Sequence, residues 1–223
     1  PNPDLGSEDL LAYQLGIRGT MASQISYDVV LFYHDYHDLA GPFVADPQLT
    51  VYDGLPTVLL PLVWQNGARA RSVGAEVAIN ADLGSRTALK ASYTYIDLSA
   101  DQIVDGKDVL FFFGQAGLTP RQTATLQLTH HLGSRWSVSV LGRYTSALHP
   151  LDWSEVTGID TARIDSVTSA DLIVHWHMKS DVAFFLAAKD LLDERHVEFY
   201  EYAFGNRPNS ISRRVFLAAK FSF

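Results

Sequence analysis

The sequence contains no cysteine. Disulfide frameworks and thiolate metal sites are therefore excluded, and cysteine usage carries no information on redox compartment. No run of 18 apolar residues occurs, so no helical membrane span is expected; the stretch VLLPLVW is short and carries Pro61. Basic residues are scarce, 17 Lys and Arg against 25 Asp and Glu, a formal net charge of −8. That balance does not suit general nucleic-acid binding, which needs a basic surface. Charged residues make up 19% of the 223 and apolar residues 47%, which is not the composition of a disordered chain. The opening PNPDLGSEDLL has no initiating Met, no basic segment and no apolar segment, so no signal peptide is read in it. The length suits one domain or part of a larger one.

What is abundant is alternation with a period of two. Tyr13, Leu15 and Ile17 share one parity, and Gln14, Gly16 and Arg18 the other. The same division recurs at ISYDVVLFYH, SVGAEVAIN, LKASYTYID, RQTATLQLTH, WSVSVLGRYT, ADLIVHWH, VAFFLAAK and the closing RRVFLAAKFSF. About nine strands follow, with no helix of any length. Arg18, Asp28, Glu76, Lys90, Arg121, Arg143, Asp171, Lys189 and Lys220 all fall on the more polar parity. One face is therefore expected to exclude charge altogether.

Short polar turns at TMASQ, DLGSR, HLGSR and MKSD alternate with long connections, roughly 37–60, 99–118, 148–165 and 191–210. Short turns at one end and long loops at the other describe an up-and-down antiparallel meander, as in outer-membrane barrels. Trp136, Trp176, Phe184 and Phe223 lie near the short turns, and Tyr33, Tyr36, Tyr95 and Tyr144 towards the long loops. Two aromatic belts of this kind mark lipid boundaries. The competing reading is a soluble antiparallel sandwich whose aromatics fill a core.

The chain resembles the C-terminal half of the barrel of a TonB-dependent outer-membrane receptor. The residues that carry the likeness are NPDL (2–5) followed by YQLGIRG, RSVGAEV (71–77) with its Gly-x-Glu, SYTYID, TPRQTATL and KDLLDERH (189–196). In the last motif Asp190 stands where Asn is usual, and His196 where Tyr is common. The resemblance implies an all-β, antiparallel up-and-down transmembrane barrel of 22 strands around a plug, with residues 1–223 its final part. Plug and earlier strands would then lie outside this sequence. It further implies residence in the outer membrane of a Gram-negative cell and energy-coupled uptake of a scarce solute, most often a ferric siderophore. The implied partners are TonB and the inner-membrane energising complex, the barrel-assembly machinery, lipopolysaccharide and a small ligand such as a metal chelate. No cofactor is implied. The last strand of this family ends on an aromatic and serves as the assembly signal, here Val215, Leu217, Phe221 and Phe223. A passive porin, or a small complete barrel acting as anchor or adhesin, remains as an alternative.

Candidate ligand contacts are the charges of the polar parity: Arg18, Asp28, Glu76, Lys90, Arg121, Arg143 and Asp171. Counted with Lys189 and Lys220 they make a net basic wall, suited to anionic chelates or to acidic groups on a plug. His175 and His177 share a face two residues apart, but no third metal ligand is evident, and His130 and His131 point to opposite faces. Acidic residues gather in the long loops: Asp101, Asp105 and Asp108, then Asp152, Glu155, Asp160 and Asp165, then Asp190, Asp193, Glu194, Glu198 and Glu201. Phe111, Phe112 and Phe113 stand in or beside a long loop. A hydrolase needs a serine, a histidine and an acid assembled together. No nucleophile-elbow motif is present, and neither a catalytic nor a metal site is assigned.

Overall fold

In a computed structural model, the described residues are 2–101, 103–104, 106–108, 117–148, 163–192, 195–199 and 209–222. In chain order the strands are β1 (Asp9–Met21), β2 (Ile25–Val44), β3 (Gln48–Tyr52), β4 (Leu55–Leu59), β5 (Leu62–Asp82), β6 (Thr87–Ala100), β7 (Ile103–Val104) and β8 (Lys107–Asp108). They continue as β9 (Gln122–Leu132), β10 (Trp136–Thr145), β11 (Val167–Lys179), β12 (Val182–Lys189), β13 (Arg195–Phe199), β14 (Asn209–Ser212) and β15 (Arg214–Phe221). Nine of them form one antiparallel sheet in the order β1-β2-β5-β6-β9-β10-β11-β12-β15. These are the nine strands expected from the alternation. The sheet is open, with β1 and β15 as its edges.

The remaining strands are three hairpins, β3–β4, β7–β8 and β13–β14, placed within connections that the alternation left as loops. The β3–β4 turn is an Asp-Gly pair in which both residues take positive φ, 50° at Asp53 and 78° at Gly54. Two left-handed residues match the twist of a tight hairpin.

Register explains why one parity excludes charge. Directly opposed residues of an antiparallel pair share a face. The row Met21, Ile25, Ala81, Leu89, Leu128, Val140, Leu172, Ala188, Val215 crosses all nine strands without a polar side chain. The row Ile17, Val29, Val77, Tyr93, Ala124, Tyr144 lies on the same face. This face looks outward: Leu15 is 72% exposed and Leu217 76%. Towards the loop end the opposite face is sheltered: along β5 Ala68, Ala70, Ser72 and Gly74 are buried while Arg69, Arg71 and Val73 between them are exposed.

The charge rule has two exceptions within the expected strands, Asp97 and Arg213, the latter on the parity of Val215 just before β15. Asp97 of β6 falls on the outward parity, opposite Val73. It sits at the loop end and pairs with Arg121 at 3.0 Å. One step further out, Asp35 and Arg71 also share the outward face, 3.7 Å apart. These pairs bound the uncharged belt. On β1 the belt runs from Tyr13 to Met21, about 26 Å of strand at 3.3 Å per residue.

Aromatic placement follows the expected belts with one correction. Trp136, Trp176 and Phe184 stack in a ladder across β10, β11 and β12 at the short-turn end, with centroids 5.1 Å and 5.4 Å apart. Tyr33 and Tyr13 meet on the outward face near the loop end. Tyr36, however, points inward: three residues from Tyr33, it has the opposite parity and lies edge-on to His34. Phe223 lies outside the described residues.

Two glycines are fixed by close packing. A Cβ on Gly74 would overlap the Tyr95 carbonyl oxygen and the Phe32 ring, which covers the glycine from the neighbouring strand. A Cβ on Gly19 would strike the ring and hydroxyl of Tyr27. The glycine of the Gly-x-Glu motif is thus a seat for an aromatic ring. Gly74→Ala is expected to cost roughly 1–3 kcal/mol through overpacking against backbone that cannot yield. A drop in the urea midpoint of the detergent-folded protein checks it; an unchanged midpoint would remove this packing account of the motif.

Candidate functional site

The inward face carries the candidate residues, and the sheet sorts them into pairs. Arg18 and Asp28 are opposed on β1 and β2, and the Arg18 Nε donates to Asp28 Oδ2 at 2.7 Å. Arg121 stands just before β9 and is engaged by Asp97 at the outer rim. Lys90 borders a shallow depression at the short-turn end with Thr20, Ser26, Asn80 and Asp82. Glu76 lies between Val30 and Thr94 in register. It does not gather with the other candidates.

Arg143 and Asp171 belong to a larger assembly. Arg143 donates from Nη1 to Asp171 Oδ2 at 2.8 Å and from Nη2 to Asp190 Oδ1 at 3.2 Å. The backbone N–H of Asp190 donates to Asp171 Oδ1 at 3.1 Å. Arg214 reaches the other Asp190 oxygen at 3.4 Å. Four charges, two of each sign, thus cross β10, β11, the end of β12 and the start of β15. Asp171 and Asp190 are almost wholly buried, at 1% and 2% exposure. Burial of carboxylates is tolerable only with such pairing.

Alternation flagged Arg143 and Asp171 but not Asp190 or Arg214, which flank the β12–β15 connection. The missed signal is conformational. Asp190 ends β12 at φ 57°, a left-handed position that Asn and Asp tolerate best. Asp in place of the usual Asn keeps that backbone and adds a charge for two arginines.

The basic wall expected from counting is therefore neutralised in part: Arg18, Arg121 and Arg143 of its six bases each meet a carboxylate, as does Arg214, which the count left out. Between the charges the face is hydroxylic. Ser92 meets Thr125 at 2.7 Å, and Thr129 meets Ser139 at 2.8 Å. Nearer the loops, His34 collects Gln14 at 3.4 Å and Ser72 at 3.3 Å and stacks on Phe32.

The histidines have other neighbours. His175 lies edge-on to Phe185 with centroids 4.5 Å apart. His130 bonds Thr87 Oγ1 at 2.8 Å through Nδ1, on the outward parity. Among the described residues no group of three or more His, Cys, Asp or Glu is placed to hold a metal ion.

Of the loop acids, Asp105, Asp152, Glu155, Asp160, Asp193, Glu194 and Glu201 lie outside the described residues, as do Phe111, Phe112 and Phe113. In the assembly signal, Val215, Leu217 and Phe221 alternate along β15 on the outward face, with Leu217 opposite Leu186.

Above the four-charge assembly lies a cleft of about 220 Å³, bounded by Arg143, Thr145, Ser146, Ser169 and Glu198. Its roof is an antiparallel bridge between Leu148 and Ile164, both buried, which folds the β10–β11 connection back over the strand ends.

The fold recurs in known proteins. The family model for the TonB dependent receptor-like β-barrel matches residues 1–191. No curated protein matches the chain. The ferric-catecholate import receptor Fiu from K12 E. coli superposes on all of this chain and 29% of its own, with TM-score 0.73 and 17% identity. The pyoverdine outer membrane receptor FpvA from Pseudomonas aeruginosa PAO1 matches 97% of this chain and 30% of its own, with TM-score 0.71 and 15% identity. The ferric yersiniabactin uptake receptor FyuA from Yersinia pestis matches 97% and 30%, with TM-score 0.68 and 14% identity. The chain thus spans less than a third of the length of these receptors, and the likeness to them is one of fold. Among the described residues no helix is long and apolar enough to cross a membrane, and the uncharged belt of the outward face is the surface a barrel of this kind turns to lipid. The chain belongs to the TonB-dependent receptor-like β-barrel family.

Proposed function

We propose that residues 1–223 are the C-terminal portion of the barrel of an outer-membrane receptor that imports a scarce metal chelate, a ferric siderophore or a similar iron complex. The plug and the remaining strands belong to the rest of the polypeptide. Import is driven by the inner-membrane complex through TonB, which engages a segment outside this chain. The barrel-assembly machinery inserts the protein, reading the alternation of Val215, Leu217, Phe221 and Phe223 in the sequence, and lipopolysaccharide surrounds its outer end. The observation that carries the reading is the family match over residues 1–191, joined to a sheet with a lipid-compatible outside and a polar inside. Siderophore cargo is supported by the fold shared with the receptors for ferric catecholate, pyoverdine and ferric yersiniabactin. Bare metal cargo is a second reading, supported by a TM-score of 0.66 to the copper transporter OprC.

The test is uptake of radiolabelled iron, supplied as a panel of ferric chelates to iron-starved source cells. Deletion of the gene that encodes this segment is expected to abolish uptake of at least one chelate, and loss of TonB is expected to do the same. Uptake that survives loss of TonB but not of the gene would mean a passive porin. Uptake untouched by the deletion would end the iron-chelate reading.

A further inference from the structure

The cleft over the Arg143–Asp171–Asp190–Arg214 assembly has a chemistry of its own. Its guanidinium floor is committed in part: Arg143 bonds Asp171 twice and Asp190 once, and keeps about a third of its side chain open to solvent. Arg163, on the loop side, is turned to Asp165 at 3.6 Å. Lys189 stands behind the floor, beside Asp190 and opposite Arg214. What faces the space is acceptor-rich. Glu198 is about half exposed, with one oxygen 3.0 Å from His196 Nε2. Thr145, Ser146 and Ser169 add hydroxyls, and the Ser146 Oγ accepts from the Gln122 N–H at 3.1 Å.

Ser169 is the second, independent observation. It is 2% exposed, lines the cleft, and its hydroxyl has no hydrogen-bond partner among the described residues. A hydroxyl that borders the cleft and has no protein partner takes its hydrogen bond from that space, from water or from a ligand. The apolar roof of Leu148 and Ile164 shields one side from water, which strengthens a charged contact beneath it.

We propose that this cleft is a subsite for the ammonium-bearing, hydroxyl-rich part of a ligand. Glu198 takes the ammonium, and Ser169, Ser146 and Thr145 bond the hydroxyls. The volume admits a group of about one hexose ring rather than a whole metal chelate. This selects against the anionic ligands that a count of charges along the inward face favours. As part of a chelate site it rests on the receptor reading above; as the chemistry of the cleft it does not.

The probes are glucosamine and N-acetylglucosamine, which differ only by acetylation of the amine. They are titrated onto the purified full-length receptor in detergent by saturation-transfer NMR. Glucosamine is expected to bind in preference by roughly tenfold, the factor one charge-assisted hydrogen bond supplies. Glu198→Gln is expected to erase that preference and leave folding intact, since the side chain is half exposed. Ser169→Ala is expected to weaken both sugars together. Equal binding of the two sugars, binding of neither, or a preference that survives Glu198→Gln would each overturn the subsite. Iron uptake decides the receptor reading separately. Loss of that reading with the sugar preference intact would leave the cleft standing, and the converse would leave the receptor standing.

Discussion

An arginine at Val77 is expected to destabilise the protein in a bilayer by roughly 2–4 kcal/mol, the cost of a basic side chain near the midplane on the lipid face of a barrel. Val77 lies in the middle of the uncharged belt, between Val29 and Tyr93 in register. Its neighbour Ala78 lies in the row of Arg18, Asp28, Ser92 and Thr125. Ala78→Arg puts the same charge among hydroxyls beside Asp28 and is expected to cost much less. The measurement is urea unfolding of the full-length receptor in lipid bilayers, followed by tryptophan fluorescence. Equal costs at the two positions would sink the assignment of faces, because a shift of one residue is the only difference between them.

The second large effect is expected at Asp171. Asp171→Ala removes two acceptor oxygens from Arg143 and one from the Asp190 N–H. Asp190 then faces Arg143 and Arg214 alone, and a buried N–H loses its partner. Breaking a buried ion pair by deleting one member costs roughly 3–5 kcal/mol. The lower end, about 3 kcal/mol, is expected here because Arg143 keeps about a third of its side chain in contact with solvent. The comparison is Arg18→Ala, which breaks a pair whose arginine is 82% exposed. Pairs of that kind contribute about 1 kcal/mol or less. The same unfolding experiment in bilayers reads both. A loss at Asp171 no larger than at Arg18 would show that the four-charge assembly does not hold the C-terminal strands together.

The two expectations stand on different kinds of information. The face of Val77 was legible in the sequence, because a lipid-facing strand must keep charge off one parity and a period of two is visible without a partner. The same reasoning placed all nine strands of the sheet. It failed at Asp97 and Tyr36, both near the loop end, where the lipid constraint stops and either face tolerates a polar group. It also left β3–β4 inside a loop, although the Asp-Gly pair at 53–54 is a hairpin signal. There β2 and β5 continue past the belt through register shifts between Tyr36 and Gly41, so alternation breaks before the hairpin begins.

The Asp171 assembly could be read only in part. Arg143 and Asp171 were marked as inward charges, yet their pairing depends on register between β10 and β11, which are joined through a long connection. Asp190 and Arg214 enter through a backbone turn at the end of β12 and through the pairing of β12 with β15. Charge counting therefore made the inward face basic, whereas geometry neutralises four of its arginines. By itself the sequence determined the all-β class, the number of strands in the main sheet and the outward face, since local periodicity under a one-sided solvent encodes all three. Only the tertiary structure decided which charges cancel, which glycine seats a ring and where an acceptor-rich cleft remains open, because those depend on residues far apart in the chain meeting within 3–4 Å.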